Sequence, residues 1–431
     1  PPLVIFNGNP AAVAVWNSIF NAGAAVVLFF FAKDLFKSKR AGIIAVILAS
    51  TSFYFVEYSP WLSNPSPTLL TVPLFFYFLW RFWSKKSRAV VFAAFFLGLS
   101  IQFELFFLYL IPVFILYHLF SKNKNIKDTV YGIIIFSLAT STMILTEIKY
   151  HFAGVVSLLD SFVHRDVSSG QGFLGNLKLF VDRFFETYSQ TILPVSFGKI
   201  VGVLVFVVFT FFLIRKNSNK KGLSFLGVYL FSPFLMLLLG YHGAPWFLIS
   251  LPPAMILLTA FLLDKAKSNI LLAVILVVFC LVNLSALRKD KISQTSILEP
   301  DKSSYLTNQL KVVDYTYQSS GGDTFTINSV TNPLYINAVW SYNYEWYGIS
   351  RYNYVPSWSG GDQLYPYDSL EKPDESEKYL YMIIDDSPRI PEVHKILAVE
   401  WADERSTLVE TLTFGQILVQ KREFFEKKET N

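Results

Sequence analysis

Long apolar runs separated by short connectors make up the first two thirds of this chain, and the connectors alternate between strongly basic and free of Lys and Arg. From Ala89 to Phe120 there is no Lys, Arg or Asp. At about 1.5 Å per residue one straight helix over that stretch would measure roughly 48 Å, against a hydrocarbon core of about 30 Å. Two short helices fit better. Arg81, Lys85, Lys86 and Arg88 precede the stretch, and Lys122, Lys124 and Lys127 follow it. If both clusters are cytoplasmic, the crossings between them are even in number, and the polar break Gln102-Phe103-Glu104 is the tip of an outer hairpin.

Apolar runs at 11–32, 41–57, 67–83, 89–101, 104–120, 129–146, 191–214, 223–239, 244–263 and 269–286 predict ten membrane segments, several of them short. Lys33, Lys37, Lys39 and Arg40 form another basic connector, as do Arg215, Lys216, Lys220 and Lys221, and then Lys265 and Lys267. The connectors from Glu57 to Pro67 and from Tyr241 to Pro245 carry none. Counting positive charge inside places the N-terminus of this chain and its C-terminus outside, with no segment forced to flip. The expected fold is an all-α polytopic membrane domain over 1–290 followed by a small extracytoplasmic α/β or α+β domain over 291–431, in a cell membrane.

Within the first domain, residues 147–190 form a long outer loop. Phe152, Val155, Val156, Leu159 and Phe162 recur at helical spacing, and so do Leu177, Phe180, Val181, Phe184, Phe185 and Tyr188. That predicts amphipathic helices on the outer leaflet, linked through His164 to Gly172. In the second domain, helix-like patterns at 303–318 and 333–347 mix with strand-like runs at 324–328, 378–385 and 408–421. Trp340, Trp346, Tyr347, Trp358 and Tyr365 are either the core of this small fold or an aromatic platform for a sugar or peptide.

Composition agrees with a membrane protein: 53% hydrophobic residues, 16% charged residues and a mean hydropathy of +0.41. The formal charge of +5 is accounted for by topology, so no nucleic-acid partner is expected. Cys280 is the only cysteine, which excludes an intrachain disulfide and a thiolate zinc site. The chain opens Pro1-Pro2 without a basic leader or cleavage motif, and reads as an N-terminal fragment with no signal peptide.

Candidate chemistry gathers on the outer side. Glu57 and Asn64 supply acceptors in a proline-rich loop that also reads as a rigid turn with aromatic anchors. Gln102 and Glu104, at the helix break, can line a polar cavity for sugar hydroxyls or a cation, or simply reach water; an acid at that depth invites a partner such as Lys149 or a metal. Glu147 and Lys149 stand at the exit of the sixth segment, where a cation can hold a lipid phosphate or snorkel to ordinary headgroups. Tyr241 and His242 lie in the outer connector before the ninth segment, His242 being a donor, a ligand or a satisfied polar side chain. The histidines show no ligand spacing, so no metal site is assigned. No phosphate-cradling glycine loop is present, so nucleotide-driven pumping is not suggested.

This arrangement resembles the GT-C superfamily of membrane glycosyltransferases, which holds the protein O-mannosyltransferases and lipid A aminoarabinose transferases. The likeness runs through Phe6-Asn7-Gly8-Asn9-Pro10, Ser63-Asn64-Pro65-Ser66-Pro67, Gly98-Leu99-Ser100-Ile101-Gln102, Glu147-Ile148-Lys149 and the outward C-terminal domain. It implies transfer of a sugar from a polyprenyl-phosphate carrier to a glycan, lipid or protein acceptor on the outer face. It also implies a carboxylate general base in the first outer loop, after a first span. This chain starts beyond that point, so the resemblance implies that the base and an eleventh segment lie in a missing N-terminus and that the fragment alone is inactive. Asn64 stands where many relatives carry an acid, and Glu104 where some carry a basic residue or His. The candidates that remain are Asn64 and Gln102 for sugar or acceptor contacts, Lys149 for the lipid phosphate, and Tyr241 and His242 for the pocket roof. A divalent metal is the one cofactor the chemistry can use, and the sequence does not support it. The competing expectation is a non-enzymatic transporter, flippase or assembly scaffold for cell-envelope glycans, among membrane lipids; the absence of an internal repeat weighs against it.

Overall fold

The computed structural model describes residues 2–84, 86–156, 173–215, 219–239, 245–288, 305–332, 334–363, 367–374, 376–388 and 390–426. They form two compact units, one of Pro10–Thr295 and one of Leu3–Asn9 with Ser296–Asn431.

The larger unit is helical. Its elements are α1 (Pro10–Phe36), α2 (Lys39–Thr51), α3 (Phe53–Tyr58), α4 (Thr68–Trp83), α5 (Ala89–Phe103), α6 (Leu110–Phe120), α7 (Ile126–Ala139), α8 (Ser141–Lys149), α9 (Phe173–Ile192), α10 (Gly198–Ile214), α11 (Lys220–Phe231), α12 (Leu251–Asp264) and α13 (Asn269–Arg288). Among the described residues only α1 and α13 are single helices long and apolar enough to cross a bilayer, joined by α7 with α8 if that pair is one span bent by 56°. The other apolar runs are shorter or broken. The run 41–57 breaks at Ser52, whose hydroxyl caps α3 at the amide of Phe55 and also donates to the carbonyl of Thr191, 2.8 Å away. The run 223–239 passes into a 3-10 helix at Ser232, just before Pro233, which has no amide hydrogen to continue an α-helix. The run expected at 191–214 starts as a separate helix only at Gly198, because residues up to Ile192 finish α9.

The basic connectors come together at one end. Ser38 caps α2 and donates to Asp264 at 2.8 Å, Arg40 donates to the carbonyl of Ala266 at 3.1 Å, and Arg81 donates to Tyr77 at 3.0 Å beside Asp34. Asn123 donates to the carbonyl of Phe82 at 3.1 Å, and a Cβ on Gly222 would sit 2.6 Å from the carbonyl oxygen of Leu35. That clustering is what positive-inside counting expects of basic connectors separated by an even number of crossings.

Helix α9 departs from the leaflet-lying helix that periodicity predicts. Phe180, Phe184, Tyr188 and Ile192 are buried against protein, with Phe180 on Phe234, Phe184 on Phe206, and Tyr188 hydrogen-bonded to Thr259 at 3.2 Å. An apolar stripe is indifferent to whether lipid or protein covers it, and here α10 and α12 do. The first predicted loop helix is described only as far as Val156, and the His164–Gly172 link lies outside the described residues.

The smaller unit is a five-stranded sheet of β1 (Phe325–Val330), β2 (Ser357–Trp358), β3 (Tyr379–Asp385), β4 (Ser406–Phe414) and β5 (Ile417–Phe424), in the order β2-β1-β3-β5-β4. Pairings among β2, β1 and β3 are parallel; β3 with β5 and β4 with β5 are antiparallel. Helices α14 (Leu306–Ser319), α15 (Ala338–Asn343) and α16 (Glu392–Asp403) accompany it. The strand-like run 408–421 is a hairpin turned at Gly415, whose φ of 68° suits glycine. Trp340 and Trp358 are core, packed with Tyr344, Phe325, Tyr381 and Val419, and their indole N–H groups donate to Thr331 and to the carbonyl of Gly361. That removes them from any exposed platform; Trp346 and Tyr347 are half-buried, and Tyr365 lies outside the described residues. Residues 3–9 belong to this unit. Tyr342 donates to the carbonyl of Gly8, and the Trp346 ring lies where a Cβ on Gly8 would fall.

Candidate functional site

Two helix breaks meet in the larger unit. Helix α5 stops because Glu104 is extended (φ −156°, ψ 120°), its amide bonded to the carbonyl of Ser100 at 3.0 Å, and a 3-10 turn over Leu105–Tyr109 follows. The second break lies at Thr140, whose hydroxyl donates back to Phe136 at 3.0 Å between α7 and α8. Gly98 lets the two approach: a Cβ there would lie 2.9 Å from Cβ of Ala139 and 3.1 Å from the carbonyl oxygen of Phe136. With α5 and α7 so close, Oε1 of Gln102 reaches the amide of Met143 at 3.3 Å, one of the donors that the start of α8 leaves unpaired.

Gln102 and Glu104 therefore part ways. Gln102 serves the backbone of α8, whereas Glu104, half-buried at the step, makes no carboxylate hydrogen bond or ion pair among the described residues. The pairing of Glu104 with Lys149 is not formed. Lys149 is exposed at the far end of α8 with its ammonium 5.2 Å from the Tyr150 ring centroid, several residues past Met143 and so roughly 10 Å along the axis. Glu147 turns inward instead: its Oε2 accepts from the amide of Val155 at 3.1 Å, across a reversal in which His151 and Phe152 have φ of 52° and 60°. It caps the next helical turn.

The proline-rich loop after α3 is pinned to α1. Asn17 donates to the carbonyl of Trp61 at 3.3 Å, and Asn21, fully buried, donates to Ser66 at 3.1 Å and to the carbonyl of Ser59 at 3.3 Å. Tyr54 stacks on Tyr58 at 4.3 Å, and Trp61 meets Tyr58 edge-on at 5.4 Å. Glu57 is half-buried on α3 and Asn64 is exposed at the loop's crest, so the loop is both a rigid turn and a carrier of acceptors. Tyr241 and His242 lie outside the described residues.

Sequence reading missed two buried amides. Asn21 and Asn283 sit within apolar runs, and an amide there is the available signal. Asn283 accepts from the amide of Phe53 at 2.8 Å and donates to the carbonyls of Ile192 at 2.9 Å and Phe279 at 2.8 Å, joining α3, α9 and α13. Arg183 pairs with Glu186 at 2.7 Å on α9, and Lys199 pairs with Asp182 at 3.0 Å. No cluster of three His, Cys, Asp or Glu side chains suited to a metal occurs among the described residues.

Residues 3–146 match the family model for dolichyl-phosphate-mannose-protein mannosyltransferase. The fold is similar to the crystal structure of ArnT from Cupriavidus metallidurans bound to undecaprenyl phosphate, at 10% identity and a TM-score of 0.55, covering 96% of this chain and 83% of that one. The apo structure of the same protein gives 10% identity and a TM-score of 0.53, covering 95% and 82%. No curated protein sequence matches the chain.

Proposed function

From the likeness to the GT-C superfamily of membrane glycosyltransferases, which the family-model match and the shared fold support, we propose that this chain binds a polyprenyl-phosphate-linked sugar for transfer to an acceptor hydroxyl at the face opposite the basic connectors, with the general base supplied from outside these 431 residues. The observation that carries the reading is a fold shared over nearly the whole chain with a protein solved with undecaprenyl phosphate bound. The two facing helix breaks supply, in addition, a polar interruption inside an otherwise apolar bundle.

In such a transfer the acceptor oxygen attacks the anomeric carbon, the carbon–oxygen bond to phosphate breaks, and the lipid phosphate leaves with the electron pair. The step is helped by cations near the phosphate and by a base that takes the acceptor proton. In this reading Lys149 faces the phosphate, and Glu104 with Asn64 and Glu57 faces the sugar or acceptor. Gln102 and Glu147 act indirectly, by fixing α8 and the turn after it.

The test separates binding from turnover. The chain in nanodiscs is titrated with polyprenyl phosphate and with its sugar-linked form, alongside Lys149→Gln and Glu104→Gln. Lys149→Gln is expected to weaken both ligands, and Glu104→Gln only the sugar-linked one. Absence of binding to either, or substrate-dependent flux in proteoliposomes without sugar transfer, would overturn the proposal.

A further inference from the structure

From the basic end of the bundle to Leu97 and Phe136 beside the helix breaks, α6 and α7 stand apart over α5 and leave an apolar slot of about 280 Å³. Its floor includes Ala94 of α5 and its walls include Phe114, Leu119, Gly132 and Ile133. Along α6 the slot runs from Ile111 to Leu119, roughly 12 Å at helical rise. Ile133 and Leu119 are 62% and 59% exposed, so the slot opens sideways as well as at its end.

The mouth is unlike the walls. His118 lines it, held between the rings of Phe82 and Phe114, with Nδ1 buried and unpartnered among the described residues and Nε2 at 3.5 Å from Thr129. The turn that closes the slot reads Ser121-Lys122-Asn123-Lys124-Asn125-Ile126-Lys127-Asp128, three cations against one carboxylate. Lys124 is anchored at the rim: its ammonium donates to the carbonyl of Leu119, itself a wall residue, at 2.7 Å, leaving further N–H donors to spare.

We infer that this slot holds one acyl chain of an anionic phospholipid from the leaflet at the basic end, its phosphate met by Lys124 with Lys122 and Lys127. An apolar groove that long takes a chain rather than a headgroup, and the excess positive charge at its mouth favours a negative head over a zwitterionic one. The charged mouth of the slot lies at the basic end, and its occupancy does not depend on sugar transfer.

Native mass spectrometry of the full chain, released from nanodiscs of equal phosphatidylglycerol and phosphatidylcholine, tests it. Retained phosphatidylglycerol is expected to exceed phosphatidylcholine severalfold. The preference is expected to fall to near equality when Lys122, Lys124 and Lys127 are changed to Gln together. Gly132→Leu and, independently, Ile133→Trp fill the slot and should remove the retained lipid while the lysines remain; the second keeps the test valid if the first fails to fold. Equal retention of both lipids, or lipid loss with the lysine variants but not with the slot-filling ones, overturns the site. So does recovery of a polyprenyl phosphate, or of a second copy of this chain, in place of phospholipid.

Discussion

Replacing Asn283 by Leu tests whether a single buried amide holds three helices together. The side chain is 2% exposed and serves the amide of Phe53, the first residue after the Ser52 break, and the carbonyl of Ile192, the last residue of α9. Its third bond, to Phe279, is to a carbonyl inside α13, which keeps a helical partner without it. Two backbone groups are thus stranded by the substitution. At about 1–3 kcal/mol for each buried unpaired group the loss would be roughly 2–6 kcal/mol. Interhelical hydrogen bonds measured within membranes are weaker, about 0.6 kcal/mol on average and about 1.7 at most, because the unfolded chain in lipid also finds partners. The membrane average governs here, so the expected loss for the two groups is about 1.2 kcal/mol, or roughly eightfold in the unfolding constant. Denaturant unfolding in mild detergent reads it directly. Ser52→Ala, which removes the neighbouring bond to Thr191, should couple to it by at least about 0.5 kcal/mol in a double-mutant cycle. A leucine variant as stable as the parent, or additive behaviour of the pair, would refute the claim that this joint is one unit.

Gly98→Leu should drive α5 from α7 at a cost of about 1–3 kcal/mol and abolish an engineered disulfide between Gln102→Cys and Met143→Cys; crosslinking that persists would show that the helices do not meet at Gly98. Trp340→Ala, which empties a site 1% exposed, should destabilise the sheet unit by about 3–5 kcal/mol and make it the first part cut in limited proteolysis. Burial pushes the Tyr315 hydroxyl up to about 12, helped by Glu410, and burial also raises Tyr317, Tyr344 and Tyr381. A raised tyrosine favours the fold fully below its unfolded value near 10, and that contribution is lost as pH climbs toward 12. Absorbance at 295 nm on the full chain should show a rise near pH 12 that Tyr315→Phe lowers by the amplitude of one tyrosine; an unchanged curve would contradict it.

Sequence is most legible where apolarity is continuous. Helix α1, helix α13 and the Gln102–Glu104 break can all be read from it, since a polar pair deep in a long apolar run costs too much to persist unless the helix stops there. The break at Thr140 cannot, because a threonine amid apolar residues looks like any other small side chain; the bend is tied to the close approach at Gly98, a tertiary fact. The Phe stripe of α9 predicts a buried face without saying what buries it. Glu147 reads as a site residue for its charge, and only the fold reveals that its carboxylate is spent on the amide of Val155. In the sheet unit, Leu408 to Lys421 alternate well enough to pass for one strand until Gly415 turns them.

Gly8 and Tyr342 touch, and this has a topological consequence. A ribosome makes the first of them more than three hundred residues before the second, and the sheet unit cannot close around the early segment until its own later part has been delivered to the same compartment. The polypeptide between them must therefore traverse the bilayer an even number of times, whichever compartment that is. Any scheme with an odd count of passages between Asn9 and Ala338 is forbidden by this one bond.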